Sequence, residues 1–308
     1  MKDLHTILVE YEKKITSFKN TEYLNYPAVV TFETYAQCNA SCSFCPYRKL
    51  QRKGIRMIDE VINKIISEMS DFPSDNPIRV VPVRVNEPFL DKRIIDICNS
   101  ISDKIKNSQV ELYSNGSILD SFIFKQLLGV KNLTILGISL NYHEKNTYNS
   151  GMKLSFEKTV KNIDQIYNEY NQGKVSFVIV ITGVSNNDYT DQQFINWVSN
   201  RWQKFAVHIL SKGDWLHNVA LVDCDPVPNV GCAHWFSVNI LSDGTEAFCC
   251  IDSEGLYGNG NISTKHLIDL YNEPFKRSLR ETLPTRKSVS VCHECSFLPA
   301  KIIKFGKK

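Results

Sequence analysis

Three cysteines, Cys38, Cys42 and Cys45, follow closely on the short apolar run Ala28 to Phe32 with the spacing C-x3-C-x2-C. The run reads as a strand, so the thiols fall in the loop that leaves it. Three thiolates in one short loop suit three irons of a 4Fe-4S cluster, with the fourth iron left open to an outside ligand. Zinc is the competing occupant, but a structural zinc site takes four ligands, and the nearest histidine, His5, is remote in sequence.

These three belong to a total of ten cysteines in 308 residues. The first residues, MKDLHTILVEYEKKITSF, mix charges into every turn without an apolar core, so no secretory signal is expected. No window approaches the roughly 18 uncharged apolar residues of a membrane span. A cytoplasmic location is therefore expected, where thiols stay reduced and ten of them are not a disulfide set. At 43% hydrophobic and 22% charged residues the chain carries enough apolar material for a core, which excludes a disordered or fibrous protein. The net charge of +3 is too small for a nucleic-acid footprint, and local basicity is confined to Lys49 to Lys53 and Lys301 to Lys308. Neither a stable nucleic-acid partner nor a membrane is expected.

From Ala28 to about Ser211 short apolar runs alternate with amphipathic stretches. Strands are expected at 29–34, 79–85, 109–113, 133–140, 174–182 and 205–210, with helices at 58–70, 92–105, 119–127, 155–170 and 191–202. This is the pattern of repeated βα units on a parallel sheet, whose ligands bind beyond the carboxyl ends of the strands. Polar groups recur at those ends: Glu87 in Val85-Asn86-Glu87-Pro88, then Ser114-Asn115-Gly116, then Ser139-Leu140-Asn141. The plainer reading of Glu87 is a helix cap, with Pro88 in the first turn and Asp91 nearby. Cys98, inside the helical pattern IIDICNSI, reads as core.

With these residues in view the chain resembles the radical S-adenosylmethionine (SAM) superfamily, whose cysteine signature has an aromatic residue before the last cysteine, here Phe44. The resemblance implies an α/β fold, a partial (β/α)6 TIM-like barrel. It implies a 4Fe-4S cluster on Cys38, Cys42 and Cys45 that binds SAM and cleaves it to a 5′-deoxyadenosyl radical, fed by a flavodoxin- or ferredoxin-type electron donor. Glu87 matches the acid of the family's Gly-Gly-Glu-Pro, although Val85-Asn86 replace its glycines. Ser114, Asn115 and Ser139 match further SAM-positioning residues. A basic residue that often meets the SAM carboxylate has no clear counterpart, and neither Lys145 nor Lys153 is assigned to it.

Four segments are expected: an N-terminal helical extension (1–27), the barrel (28–211), a linker with Pro226 and Pro228 (212–230), and a second cysteine-bearing unit (231–308). In the last, Ser242-Asp243-Gly244 between two apolar runs is a hairpin signal that brings Cys232 and Cys249 together. Short helices are expected at 264–272 and 273–283, before Cys292-His293-Glu294-Cys295. Four such thiols close either a zinc site or a 4Fe-4S cluster. The segment resembles the SPASM auxiliary-cluster extension, through Cys232, Gly244, Cys249, Gly260-Asn261-Ile262 and the final pair Cys292 and Cys295. No cysteine follows Cys295, which points to the shortened, twitch-like form with one auxiliary 4Fe-4S cluster. Cys250 rivals Cys249 as a ligand, and the G-x4-C spacing favours Cys249.

Cys224 lies between Asp223 and Asp225, two acids that raise its pKa and make it a poor nucleophile. A thiol can still donate a hydrogen atom, as in radical SAM epimerases. The resemblance implies hydrogen abstraction from a substrate, expected to be a sugar-like or aminocyclitol-like molecule because no peptide-recognition domain precedes the barrel. The auxiliary cluster would then accept an electron. The alternatives are epimerisation or cross-linking of a ribosomally made peptide, with Cys224 as hydrogen donor, and a zinc-binding interaction protein.

Overall fold

A computed structural model describes residues 4–173, 175–219, 227–295, 297 and 302–304. Its elements are α1 (Leu4–Lys19), β1 (Val29–Phe32), α2 (Asp59–Ser70), β2 (Ile78–Val81), α3 (Ile94–Lys104), β3 (Ser108–Ser114), α4 (Ser121–Leu127), β4 (Leu133–Asn141) and α5 (Lys145–Met152). They continue with α6 (Phe156–Gln172), β5 (Val178–Val184), α7 (Asp188–Arg201), β6 (Ala206–Leu210), β7 (Ser237–Ile240), β8 (Glu246–Ala247), α8 (Leu267–Tyr271), α9 (Pro274–Thr282) and β9 (Ile302–Lys304).

β1 to β6 pair in parallel and in sequence order, joined by helices. β1 and β6 are not neighbours, so the barrel stays open; β7 and β9 flank its two ends. The parallel sheet is the one expected from the βα alternation, and its open form is the partial barrel that the family resemblance implied. The helices form because their apolar residues recur on one face: α2 buries Val61, Ile62, Ile65, Ile66 and Met69, and α6 buries Val160, Ile163 and Ile166. Side-chain caps start them, Ser155 accepting from Lys158 N and Asn187 accepting from Thr190 N. The second cap explains why α7 begins before its expected start at 191. Cys98 is fully buried in the main core beside Ile97 and Ile101.

The second cysteine-bearing unit continues the sheet. β7 pairs in parallel with β1, Val29 opposite Ser237, and turns back into β8 through Gly244 at φ 83°. A smaller core holds it together, built from Trp235, Phe236, Phe248 and Leu279 with Tyr11 and Ile15 of α1. Beside that core Lys276 and Glu246 form a buried ion pair at 2.6 Å. Besides shifts of element ends like that of α7, two further features differ from the sequence expectation. β2 stops before Pro82, which has no N–H for the ladder, and the chain runs irregularly to Glu87. The helix α5 was not expected, because only Tyr148 and Met152 of its residues are buried.

Candidate active site

The cysteine loop leaves β1 and is held from two sides. Ser41 N and Ser43 N donate to the carbonyls of Met152 and Gly151 at the end of α5, both at 3.0 Å, while Glu87 N donates to Gln37 O at 2.9 Å. Cys38 Sγ accepts from Ala40 N at 3.4 Å and lies 3.9 Å from the Asn115 amide. Cys42 Sγ touches Met152 Sδ at 3.3 Å. Burial pushes the Cys38 thiol up to about 12 and the Cys45 thiol to about 11. Cys42 moves the same way, through burial first and then the neighbouring Cys45 and Cys38. Three such thiols become thiolates together only with a cationic partner.

They line a cavity of about 430 Å3 at the carboxyl ends of the strands, together with Phe44, Glu87, Ser114, Asn115 and Ser139. Glu87 is 1% exposed and accepts from Ser114 Oγ at 2.9 Å, Asn115 N at 2.8 Å and Phe89 N at 3.3 Å. The last bond is the helix cap the plainer reading expected, so the same carboxylate both caps a short 3-10 turn, Pro88–Leu90, and faces the cavity. Burial raises its pKa to about 7. Gly116 turns the chain after β3 at φ 74°, where a Cβ would meet Ile138 at 2.9 Å. Asn162 of α6 fixes this turn by donating to Gly116 O and Ser117 O, each at 3.0 Å. Ser139 Oγ accepts from Thr182 Oγ1 at 3.3 Å, and the Phe44 ring meets Tyr142 edge-on at 6.2 Å. Lys145 is engaged with Glu157 at the surface.

The second group gathers from four points of the chain. Cys232, Cys249, Cys292 and Cys295 line one small void, with Cys250, Arg286 and Trp235. Cys250 borders both this void and the larger cavity. Burial raises the thiols of Cys249, Cys292 and Cys295, that of Cys292 to about 12. Tyr11 reaches across from α1 and donates to Cys232 Sγ at 3.7 Å. Cys224 lies outside the described residues.

Two arginines tie the sites together. Arg52, in the cysteine loop, pairs with Glu33 at 2.8 Å and with Glu254 at 3.2 Å, and also donates to Ser253 O. Arg84, which lines the cavity, donates to Cys249 O at 3.3 Å and Asp252 O at 3.1 Å. Lys212, Gly213 and Trp215, in the stretch expected as a linker, also wall the site, and Trp215 Nε1 donates to Phe44 O at 3.2 Å. Neither Arg52, Arg84 nor Trp215 carries a motif, so the sequence alone does not single them out.

A family model described as the radical SAM superfamily matches residues 32–195, more than half of the chain. The chain belongs to the radical SAM superfamily. A second model, an iron-sulfur cluster-binding domain of the SPASM type, matches residues 232–296. This radical SAM chain is 24% identical over 159 residues to YydG of Bacillus subtilis (strain 168), a protein named for peptide biosynthesis. The match covers 51% of this chain and 47% of that one, so it spans about half of the relative. Among solved structures, BtrN in complex with AdoMet and 2-DOIA has a TM-score of 0.58 at 14% identity, covering 89% of this chain and 95% of its own. Streptococcus suis SuiB bound to precursor peptide SuiA has a TM-score of 0.65 at 13% identity, covering 96% and 75%. At these identities both structures speak for the fold alone.

A radical SAM enzyme uses a 4Fe-4S cluster and SAM, and a SPASM region adds auxiliary iron-sulfur. The residues present suit both groups. Among the described residues no three His, Cys, Asp or Glu side chains close around a single-ion centre. The three thiols of the first group border the larger cavity and the four of the second border the small void. Around the second void, among the described residues, the buried donors of Arg286 and Trp235 find no oxygen or nitrogen acceptor and face the thiols of Cys295 and Cys292, which suits an anionic occupant rich in sulfur.

Proposed function

We propose that this radical SAM enzyme epimerises or cross-links a ribosomally made peptide. The lining of the cavity carries the reading. Among the described residues around it Glu87 is the one carboxylate and Arg84 and Lys212 are the cations, while Val81, Val83, Val184, Leu210 and Ile251 form apolar walls. The hydroxyl groups of an aminocyclitol would meet Asn86, Tyr113, Asn141 and Ser211 of the same lining, but its ammonium would find no carboxylate among the described residues beyond Glu87. An apolar peptide side chain is stabilised there by burial. The name of the curated relative, given for peptide biosynthesis, supports the same substrate class.

In this reading Cys38, Cys42 and Cys45 hold the SAM-binding cluster, and Cys232, Cys249, Cys292 and Cys295 hold the auxiliary one. Bound there, cluster and SAM supply a 5′-deoxyadenosyl radical that removes a hydrogen atom from the substrate. The chain's own residues set the geometry. Glu87, held by Ser114 and Asn115, offers its carboxylate to the amino group of SAM. Asn115 and Ser139 orient the rest of SAM, and Phe44 walls its site. The valine-rich wall keeps water from the radical. In an epimerisation Cys224 would return a hydrogen atom to the substrate radical, and the thiyl left on its sulfur would take up one electron from the donor protein and one proton. A flavodoxin- or ferredoxin-type protein delivers the electron, in the reducing cytoplasm.

The test incubates reconstituted enzyme, SAM and dithionite in D2O, either with the peptide from a short reading frame beside its gene or with 2-DOIA. Uptake of one solvent deuterium by the peptide, lost in Cys224→Ala, is the epimerisation result. Loss of two hydrogens marks cross-linking. Oxidation of 2-DOIA with an unchanged peptide overturns the reading in favour of the small-molecule alternative.

A further inference from the structure

Leaving a buried donor without an acceptor is destabilising, so such atoms are few and each has a reason. Among the described residues nine buried side-chain nitrogens and oxygens lack a partner. A third of them sit on just two residues, as Arg286 Nε, Arg286 Nη2 and Trp235 Nε1, and both residues line the void shared by Cys232, Cys249, Cys292 and Cys295. Arg286 is 0% exposed, and no described carboxylate lies within ion-pair distance of it. Its remaining terminal nitrogen donates to Phe297 O, and its guanidinium stands 5.9 Å from the centre of the Tyr11 ring.

Guanidinium stays protonated in proteins, so this is a permanent charge, and a buried charge is destabilising unless an anion answers it. The fork is fixed in place. Arg286 N is bonded to Val230 O at 3.1 Å, and a short 3-10 turn, Arg286–Ser288, begins there. At the border of the void the guanidinium faces the thiol of Cys295 and the indole N–H that of Cys292. The occupant that fits is negatively charged and presents several soft acceptors, which four thiolates and the sulfides of a cluster provide.

We propose that Arg286 and Trp235 donate hydrogen bonds to the sulfurs of the auxiliary cluster and raise its reduction potential. The inference rests on the reading that the four thiols hold that cluster. Reduction adds one electron and breaks no bond, and the extra negative charge is stabilised by the adjacent guanidinium and by hydrogen bonds to sulfur. Arg286 and Trp235 are thus tuning residues, acting on an electron carrier whose void shares Cys250, Ile251 and Phe297 with the larger cavity.

The test uses the full chain with Cys38, Cys42 and Cys45 changed to Ala, so that one cluster remains. Iron and sulfide are counted, and the midpoint potential is read by paramagnetic resonance during a dithionite titration. Arg286→Gln should keep about four irons per chain and titrate at a more negative potential. Arg286→Lys, which keeps the charge but loses the fork, should shift less, and Trp235→Phe should shift in the same direction. An unmoved potential in Arg286→Gln at full iron content overturns the proposal and leaves the ligand assignment standing. No iron in the starting protein overturns the assignment, and the proposal with it. If Arg286→Gln does not fold, unmoved potentials in Arg286→Lys and Trp235→Phe overturn the proposal.

Discussion

The two thiol groups differ in how they are made. Cys38, Cys42 and Cys45 share one loop, held by backbone bonds from α5 and open to a cavity of about 430 Å3. Cys232, Cys249, Cys292 and Cys295 come from separate points and meet around a small void backed by Trp235, Arg286 and Tyr11 of the distant N-terminal helix. An open group with three thiols leaves a coordination position for chemistry. A closed group with four keeps its occupant as an electron carrier. Local spacing suffices for the first, whereas the second depends on the fold being complete.

The largest effect expected is on the first group. Changing Cys38, Cys42 and Cys45 to Ala should lower iron from about eight to about four per chain and abolish 5′-deoxyadenosine formation. The complementary change, Cys292→Ala, should remove the other four irons. Retention of all eight there would break the division into two groups. Between the neighbours, Cys249→Ser should lose auxiliary iron and Cys250→Ser should keep it, and the reverse would give Cys250 the ligand's place.

The dependence of the second group on tertiary structure is tested by Lys276→Ala. It leaves Glu246 buried without its partner and should cost about 3–5 kcal/mol in denaturant unfolding, with loss of auxiliary iron first. A loss below about 1 kcal/mol would mean that the thiol site stands without this ion pair.

The smallest effect expected is a pH slope. Burial holds Glu87 protonated up to about 7, whereas in the unfolded chain it releases its proton in the ordinary carboxylate range near 4.5. Its contribution to stability is therefore complete below that range and is lost as pH rises to about 7. Without SAM, the difference in melting temperature between wild type and Glu87→Gln should change across this window and level off above it. A difference that stays constant from pH 4 to pH 8 would mean that Glu87 titrates normally.

Much of the barrel was legible because parallel strands are buried on both faces and read as short apolar runs; Ile179, Val180 and Ile181 are an example. The polar strand ends at Glu87, Ser114, Asn115 and Ser139 were legible for the same reason, since a polar group directly after an apolar run falls at the mouth of the barrel. α5 was not, because Tyr148 and Met152 alone make too thin an apolar stripe, although its last carbonyls hold the cysteine loop. Arg52, Arg84, Arg286 and Trp235 were not either. An isolated arginine or tryptophan looks the same in sequence whether it lies at the surface or against a cluster.

By itself the sequence determined what acts locally: which runs become strands and helices, where the turns fall, and which thiols share a loop. Only the tertiary structure decided that β7 joins β1, that Tyr11 reaches Cys232, and that Arg286 is buried beside four thiols with no carboxylate partner among the described residues. Periodicity and spacing record interactions over a few residues. Charge compensation and the closing of a void depend on contacts between segments more than 200 residues apart, as Tyr11 and Cys232 are.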